Sequence, residues 1–96
     1  MTATKMKRPP QTTFAKLLQP GDVIANTWAY YQVTAVEIRG NYVWVDVNVQ
    51  GGGEHYPKTL RPTYRLNERV TLSIHDSKRW VEYRKAQREA FLAAQS

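Results

Sequence analysis

The residues best equipped for chemistry in this chain are its bases. Lys5, Lys7 and Arg8 stand together near the N-terminus, and Arg79, Arg84, Lys85 and Arg88 recur near the C-terminus. Arginine donates two parallel hydrogen bonds to one phosphate through its planar fork, and lysine brings a compact point charge. Arg65 and Arg69 can extend the same patch, with Lys58 and Arg61 nearby. Such a set neutralises phosphates with little regard to base sequence, and its binding weakens as salt rises. Aromatic rings are the second resource. Three Trp, six Tyr and two Phe are more than a core of this size can bury. Tyr42 and Trp44 alternate with a row of valines, while Trp80, Tyr83 and Phe91 lie in the C-terminal segment. Rings on an outer face either receive another packed element or form a platform on which bases or a partner's apolar groups stack.

Other chemistry is poorly supplied. His55 follows Gly51-Gly52-Gly53-Glu54, and His75 precedes Asp76. Either pair could offer a general base or part of a metal shell. Neighbours along a strand point to opposite faces, however, and no nucleophile or third ligand stands at a useful spacing. The glycine run lacks the Lys-Ser/Thr of a P-loop and the spacing of a dinucleotide loop, and it reads as a hairpin tip. With no cysteine, disulfides, iron–sulfur clusters and thiolate zinc sites are excluded. The expectation is a non-enzymatic binding protein without cofactor or metal.

The charge balance narrows the partner. Fourteen Lys and Arg against eight Asp and Glu give a net charge of +6. Residues 14–76 are electrically balanced, whereas residues 1–13 and 77–96 each carry +3. A neutral middle is thus flanked by two basic ends. Ninety-six residues make one small domain. No apolar run approaches the roughly 20 residues of a membrane span, so no membrane partner is expected. The basic N-terminus lacks the apolar stretch of a signal peptide, and a cytoplasmic location is expected.

The elements that must position these residues fall into three segments. Residues 1–13 form a flexible basic tail, because Thr, Lys, Arg, Gln and Pro9-Pro10 offer little to bury. Residues 14–76 read mainly as strands. Phe14, Leu17 and Leu18 predict a single helical turn capped by Thr13 and ended by Pro20-Gly21. Asp22 to Ala25 is a short strand, and Tyr30 to Ile38 is a β-branched and aromatic one. Gly40-Asn41 supplies a tight hairpin turn. From Tyr42 to Val49 the alternation is strict, with Val43, Val45, Val47 and Val49 on the buried face. His55 to Leu60 returns as an antiparallel partner that Pro57 confines to an edge or bulge. Leu66 to Arg69 makes a one-turn break before a last strand carrying Val70, Leu72 and Ile74. Residues 77–96 form an amphipathic basic helix with Asp76 or Ser77 as N-cap. Its stripe is Trp80, Tyr83, Gln87, Ala90, Phe91 and Ala94. The expected core is Val23, Ile24, Val33, Val36, Ile38, Val43, Val45, Val47, Leu60, Leu66, Val70 and Leu72.

Short strands, tight hairpins and one turn before the last strand match a mainly β fold. The specific expectation is a five-stranded small barrel with a C-terminal α-helix and a disordered basic N-terminal tail. Leu18-Gln19-Pro20-Gly21-Asp22-Val23-Ile24 resembles the opening of many SH3-like barrels. Thr63 to Leu72 looks like their closing pattern of strand, 3₁₀ turn and strand. The stretch from about residue 14 to 75, two thirds of the chain, also resembles small barrel proteins encoded by actinobacterial phages. The resemblance implies an SH3-like phage protein in the cytoplasm of a bacterial host. Barrels of this kind host several roles, so two readings stand. One is nucleic acid, DNA or RNA, bound through Lys5, Lys7, Arg8, Arg65, Arg69, Arg79, Arg84, Lys85 and Arg88. The other is a protein-interaction module that acts on a host factor or self-associates. Its contact would be the helix together with an aromatic face of Tyr42, Trp44, Trp80, Tyr83 and Phe91. Either the helix stripe docks against the Tyr42/Trp44 face, on its own barrel or on a neighbour, or that face is left to stack bases if single strands are the ligand.

Overall fold

The computed structural model describes residues 7–95. Its centre is the pair of long strands β3 (Ala29–Arg39) and β4 (Tyr42–Gly51), antiparallel along their whole length. Gly40, at φ +56°, closes the turn between them. Val43, Val45 and Val47 point inward from β4 and are buried, as strict alternation requires. In β3 the pairing slips between Val33, opposite Val47, and Ala35, opposite Asp46. Thr34 is the extra residue of a β-bulge, and its hydroxyl donates to the Asp46 carbonyl at 3.1 Å. A bulge reverses the parity of the strand. Tyr31 and Val33 therefore face inward before it, and Val36 packs against the core after it. Ile38, expected in the core, is 53% exposed although its partner Val43 is buried, because the neighbouring strand Val23–Ala25 pairs with β3 only from Tyr30 to Gln32 and leaves this end of β3 an open edge.

Short strands flank this pair. On one side β2 (Val23–Ala25) pairs with β3. On the other, β5 (Thr59–Leu60) and β6 (Thr63–Arg65) pair in turn with β4. The single return strand expected from His55 is thus replaced by two short ones. Pro57 and Pro62, which lack an N–H to donate, bracket the first of them. A second sheet joins β1 (Thr12–Phe14) to β7 (Arg69–Thr71). The tail therefore gives way to ordered strand at Thr12, two residues earlier than expected. Thr13 is buried in β1, and the 3₁₀ turn Ala15–Leu17 starts from Phe14 without a side-chain cap.

The sheets are open, and the expected closed barrel does not form. They meet at one bridge, Ile24 opposite Leu72. The reason lies in the backbone partners. Ser73 N–H donates to the Val23 carbonyl at 2.7 Å. The Ser77 hydroxyl accepts the Val23 N–H at 3.0 Å and donates to the Val23 carbonyl at 3.1 Å. A side chain thus takes the place of a further strand residue and satisfies the edge of β2. The last strand ends at Thr71, and Ile74 lies in the following turn, exposed. Between β6 and β7 the 3₁₀ turn fills the gap. Ala15 N–H donates to Glu68 at 2.8 Å and Lys16 N–H to Leu66 at 3.1 Å.

The core comprises Leu18, Ile24, Val33, Val43, Val45, Val47, Val70 and Leu72, joined by Ala15, Ala29 and Tyr31. Val36, Leu60, Tyr64 and Leu66 pack at its margin. The C-terminal helix α1 (Lys78–Gln95) begins where the Ser77 carbonyl accepts the N–H of Trp80 and Val81. Gly21 lets it approach β2: φ is +96°, and a Cβ there would lie 2.9 Å from Lys78 Cβ. From Gln87 to Gln95 every residue is exposed.

Candidate functional site

The bases on α1 divide into structural and free ones. Asp22, directly after the Pro20-Gly21 turn, is 1% exposed, and Arg79 grips it from the first turn of the helix. Arg79 Nε donates to Asp22 Oδ1 at 2.8 Å, and its Nη2 donates to Oδ2 and to the Leu17 carbonyl. Gln19 N–H adds a bond to Oδ2 at 3.0 Å. The fork expected to hold phosphate is therefore occupied by a buried carboxylate, and Arg79 anchors the helix. Arg84 donates to the carbonyls of Ile74 and His75. Those carbonyls follow the end of the last strand, so Arg84 fastens the connection into α1. Lys85 and Arg88 are exposed and have no acidic partner among the described residues.

The expected aromatic face is not assembled. Trp44 is half-buried on the outer side of β4, with the Arg61 guanidinium 5.3 Å from its ring centre. Arg61 also reaches Glu37 at 2.8 Å and Asp46 at 3.3 Å, and Arg39 meets Glu37 at 2.9 Å. The hydrogen bond from Arg39, with the charge of Arg61, holds Glu37 below the usual carboxylate range. This face is thus covered by a self-neutralised network. Trp80 is buried elsewhere, its indole N–H donating to the Pro10 carbonyl at 3.0 Å, with Tyr83 edge-on at 5.9 Å. Phe91 is 62% exposed near the far end of the helix. The helix docks through Trp80 on residues 8–10 and not on Tyr42 and Trp44, because the Asp22–Arg79 pair and the Gly21 contact fix its start beside β2.

A different surface gathers free charge. The segment from Lys7 to Gln11 crosses Trp80 and runs into β1. Arg8 lies over the Trp80 ring at 5.6 Å. In β1, Phe14 stands opposite Arg69 of β7, whose guanidinium is 5.2 Å from the ring centre; Lys16 Nζ is 5.7 Å from the same centre. Cation–π contacts of this kind hold a cation in place without neutralising it. Arg65 continues the row on β6, directly opposite Tyr42, which is 50% exposed. The nearby Glu68 carboxylate accepts the main-chain N–H of Arg65 at 3.3 Å and leaves its guanidinium free of an acid. The structure thus brings together Arg8, Arg65 and Arg69 of the expected set, with Lys7 adjoining. Lys5 lies outside the described residues. Lys16 and Phe14 are the members that sequence reasoning missed. Their spacing of two is no signal alone, since Arg69 joins them only through the β1–β7 pairing.

Among the described residues no cluster of His, Asp or Glu is placed to hold a metal ion. No helix among the described residues is long and apolar enough to cross a membrane. The fold and this surface define a small, mainly β protein with a row of ring-seated cations. Comparison with protein-family models, with curated proteins and with solved structures gives no match to the chain.

Proposed function

We propose that the protein is a small non-enzymatic nucleic-acid-binding protein, of the SH3-like kind encoded by phages and acting in the host cytoplasm. The turn before β7 and the bridge back to β2 support an SH3-like connectivity, in sheets that stay open. Phosphates would lie along Arg8, Lys16, Arg69 and Arg65, with Lys7, Lys85 and Arg88 at the flanks. One observation carries the reading. The cations on this surface sit on aromatic rings without acidic partners, whereas Arg39, Arg61 and Arg79 are neutralised by carboxylates. Charge left unpaired along one edge, with Trp80 and Phe14 beneath it, suits a polyanion.

Fluorescence anisotropy with labelled nucleic acid at low and near-physiological salt tests it. Log affinity should fall linearly with log salt. For a single strand, Lys16→Ala with Arg69→Ala should reduce the steepness by roughly 1.4, about 0.7 for each phosphate no longer neutralised. Thermal melting of that variant should stay near wild type. Absence of binding at low salt removes the proposal. The exposed Phe91 and Leu92 near the end of α1 support the second reading, self-association through the helix. Sedimentation velocity checks it, and a strict monomer excludes it.

A further inference from the structure

We infer that the cleft between the Gly40-Asn41 turn and the Leu66-Asn67 turn takes one unpaired nucleobase with its phosphate, so that the preferred ligand is single-stranded. The inference rests on the nucleic-acid reading above. The cleft has a volume of about 370 Å³ and is lined by Asn41, Tyr42, Arg65, Leu66 and Asn67. Its walls are held by the backbone. Leu66 N–H donates to the Asn41 carbonyl at 3.2 Å and ties one turn to the other. Tyr42 and Arg65 face each other across the β4–β6 pairing.

Each lining residue has a role in that chemistry. The Tyr42 ring, half exposed, offers a stacking face that accepts any base. Asn41 and Asn67 each carry an amide donor and an amide acceptor, the pair of groups that a base edge presents. Arg65 has a guanidinium free of carboxylate partners among the described residues and can fork onto a phosphate. Leu66 supplies apolar surface. A base inside a duplex is stacked on its neighbours and paired on its Watson–Crick edge. It can offer neither surface to this cleft without leaving the stack.

The surroundings point the same way. Lys16 adjoins the cleft through its N–H bond to the Leu66 carbonyl, and Arg69 lies just beyond. The next phosphates of a bound strand would meet these two cations. A cleft of similar volume, about 360 Å³, lies beside Asp46 and Arg61. There the arginine is already paired with carboxylates, so that site has no free cation to offer a phosphate.

The test compares a labelled oligothymidylate, an oligouridylate, an abasic strand of the same length and a duplex, by anisotropy at low salt. One of the base-bearing single strands should bind roughly 5- to 160-fold more tightly than the abasic strand, the range of one stacked base. The duplex should fall below it. Oligothymidylate and oligouridylate differ in the sugar and in the 5-methyl group of the base, and a preference for either agrees with the inference. Tyr42→Ala should lower base-bearing affinity to the abasic level, while Tyr42→Phe keeps it. Melting curves verify that both variants fold, and Asn67→Ala gives a second reading of the same cleft. Equal binding of abasic and base-bearing strands, or no loss in both Tyr42→Ala and Asn67→Ala, overturns the cleft and leaves the phosphate surface standing. No binding of any strand by the wild type overturns the nucleic-acid reading and the cleft with it.

Discussion

Replacing Arg79 with Ala should destabilise the fold severely, although the residue sits on a helix rich in dispensable bases. Asp22 is 1% exposed and Arg79 21% exposed, so the pair lies largely out of water. Without the guanidinium, the Asp22 carboxylate keeps the Gln19 N–H as its donor. Breaking a buried pair from one side costs about 3–5 kcal/mol, because a charge is left uncompensated. The partial exposure of Arg79 and the surviving bond place the loss near the lower end, about 3 kcal/mol. A domain of this size has a total stability of about 5–15 kcal/mol. At roughly 4–8 °C per kcal/mol, Tm should fall by about 12–24 °C. Circular dichroism or calorimetry measures it directly. The double variant Asp22→Asn/Arg79→Ala carries no buried charge and should melt above Arg79→Ala, a non-additivity that a double-mutant cycle reports. Lys85→Ala, on the exposed helix face, should leave Tm unchanged. An Arg79→Ala protein melting within about 4 °C of wild type would refute the anchoring argument. Loss of ligand binding in that variant reports unfolding, so the phosphate surface is tested at Lys16 and Arg69 instead.

Further outcomes follow from the same geometry. Ser77→Ala should cost about 1–3 kcal/mol in urea unfolding, because the buried Val23 N–H loses its acceptor; an unchanged midpoint would show that β2 finds another partner. Burial raises the Tyr64 hydroxyl above its ordinary value of 10.0, with the charges of Tyr31 and Glu68 adding to the shift. A raised folded pKa favours the neutral form, so this contribution is complete below about pH 10 and is lost as pH rises through the higher folded value. Stability should therefore decline in alkali, and Tyr64→Phe should flatten that decline; identical alkaline profiles for the two proteins count against it. Tyr56, bonded to the Tyr31 hydroxyl at 2.8 Å, shifts upward as well and adds to the decline in both proteins.

Much of the fold is legible where the cause is local. The valine alternation of β4, the Gly40-Asn41 turn and the run of helix formers after Ser77 each depend on neighbours a few residues away. Even the bulge has a trace in the sequence. Val33 and Val36 can both face the core only if the strand changes parity between them. The exposure of Ile38 has no such trace, since alternation does not say how far the neighbouring strand extends. The candidate surface was legible as charge and rings, but not as an arrangement. Arg79 reads as one more base on a polar helix until Asp22, distant in sequence, is seen beneath it. Phe14 reads as the start of a helical turn until Lys16 and Arg69 are found against its ring.

The sequence by itself determined the two long strands, the valine core, the single C-terminal helix and the excess of positive charge, because these follow from composition and periodicity. Tertiary structure decided which cations remain free and whether the sheet closes. Both depend on long-range partners: a buried carboxylate that claims one arginine, and a serine hydroxyl that satisfies the strand edge where another strand would have paired. Hydrogen bonding at such a site is satisfied by whichever group the packing brings there, and the order of residues along the chain does not name that group in advance.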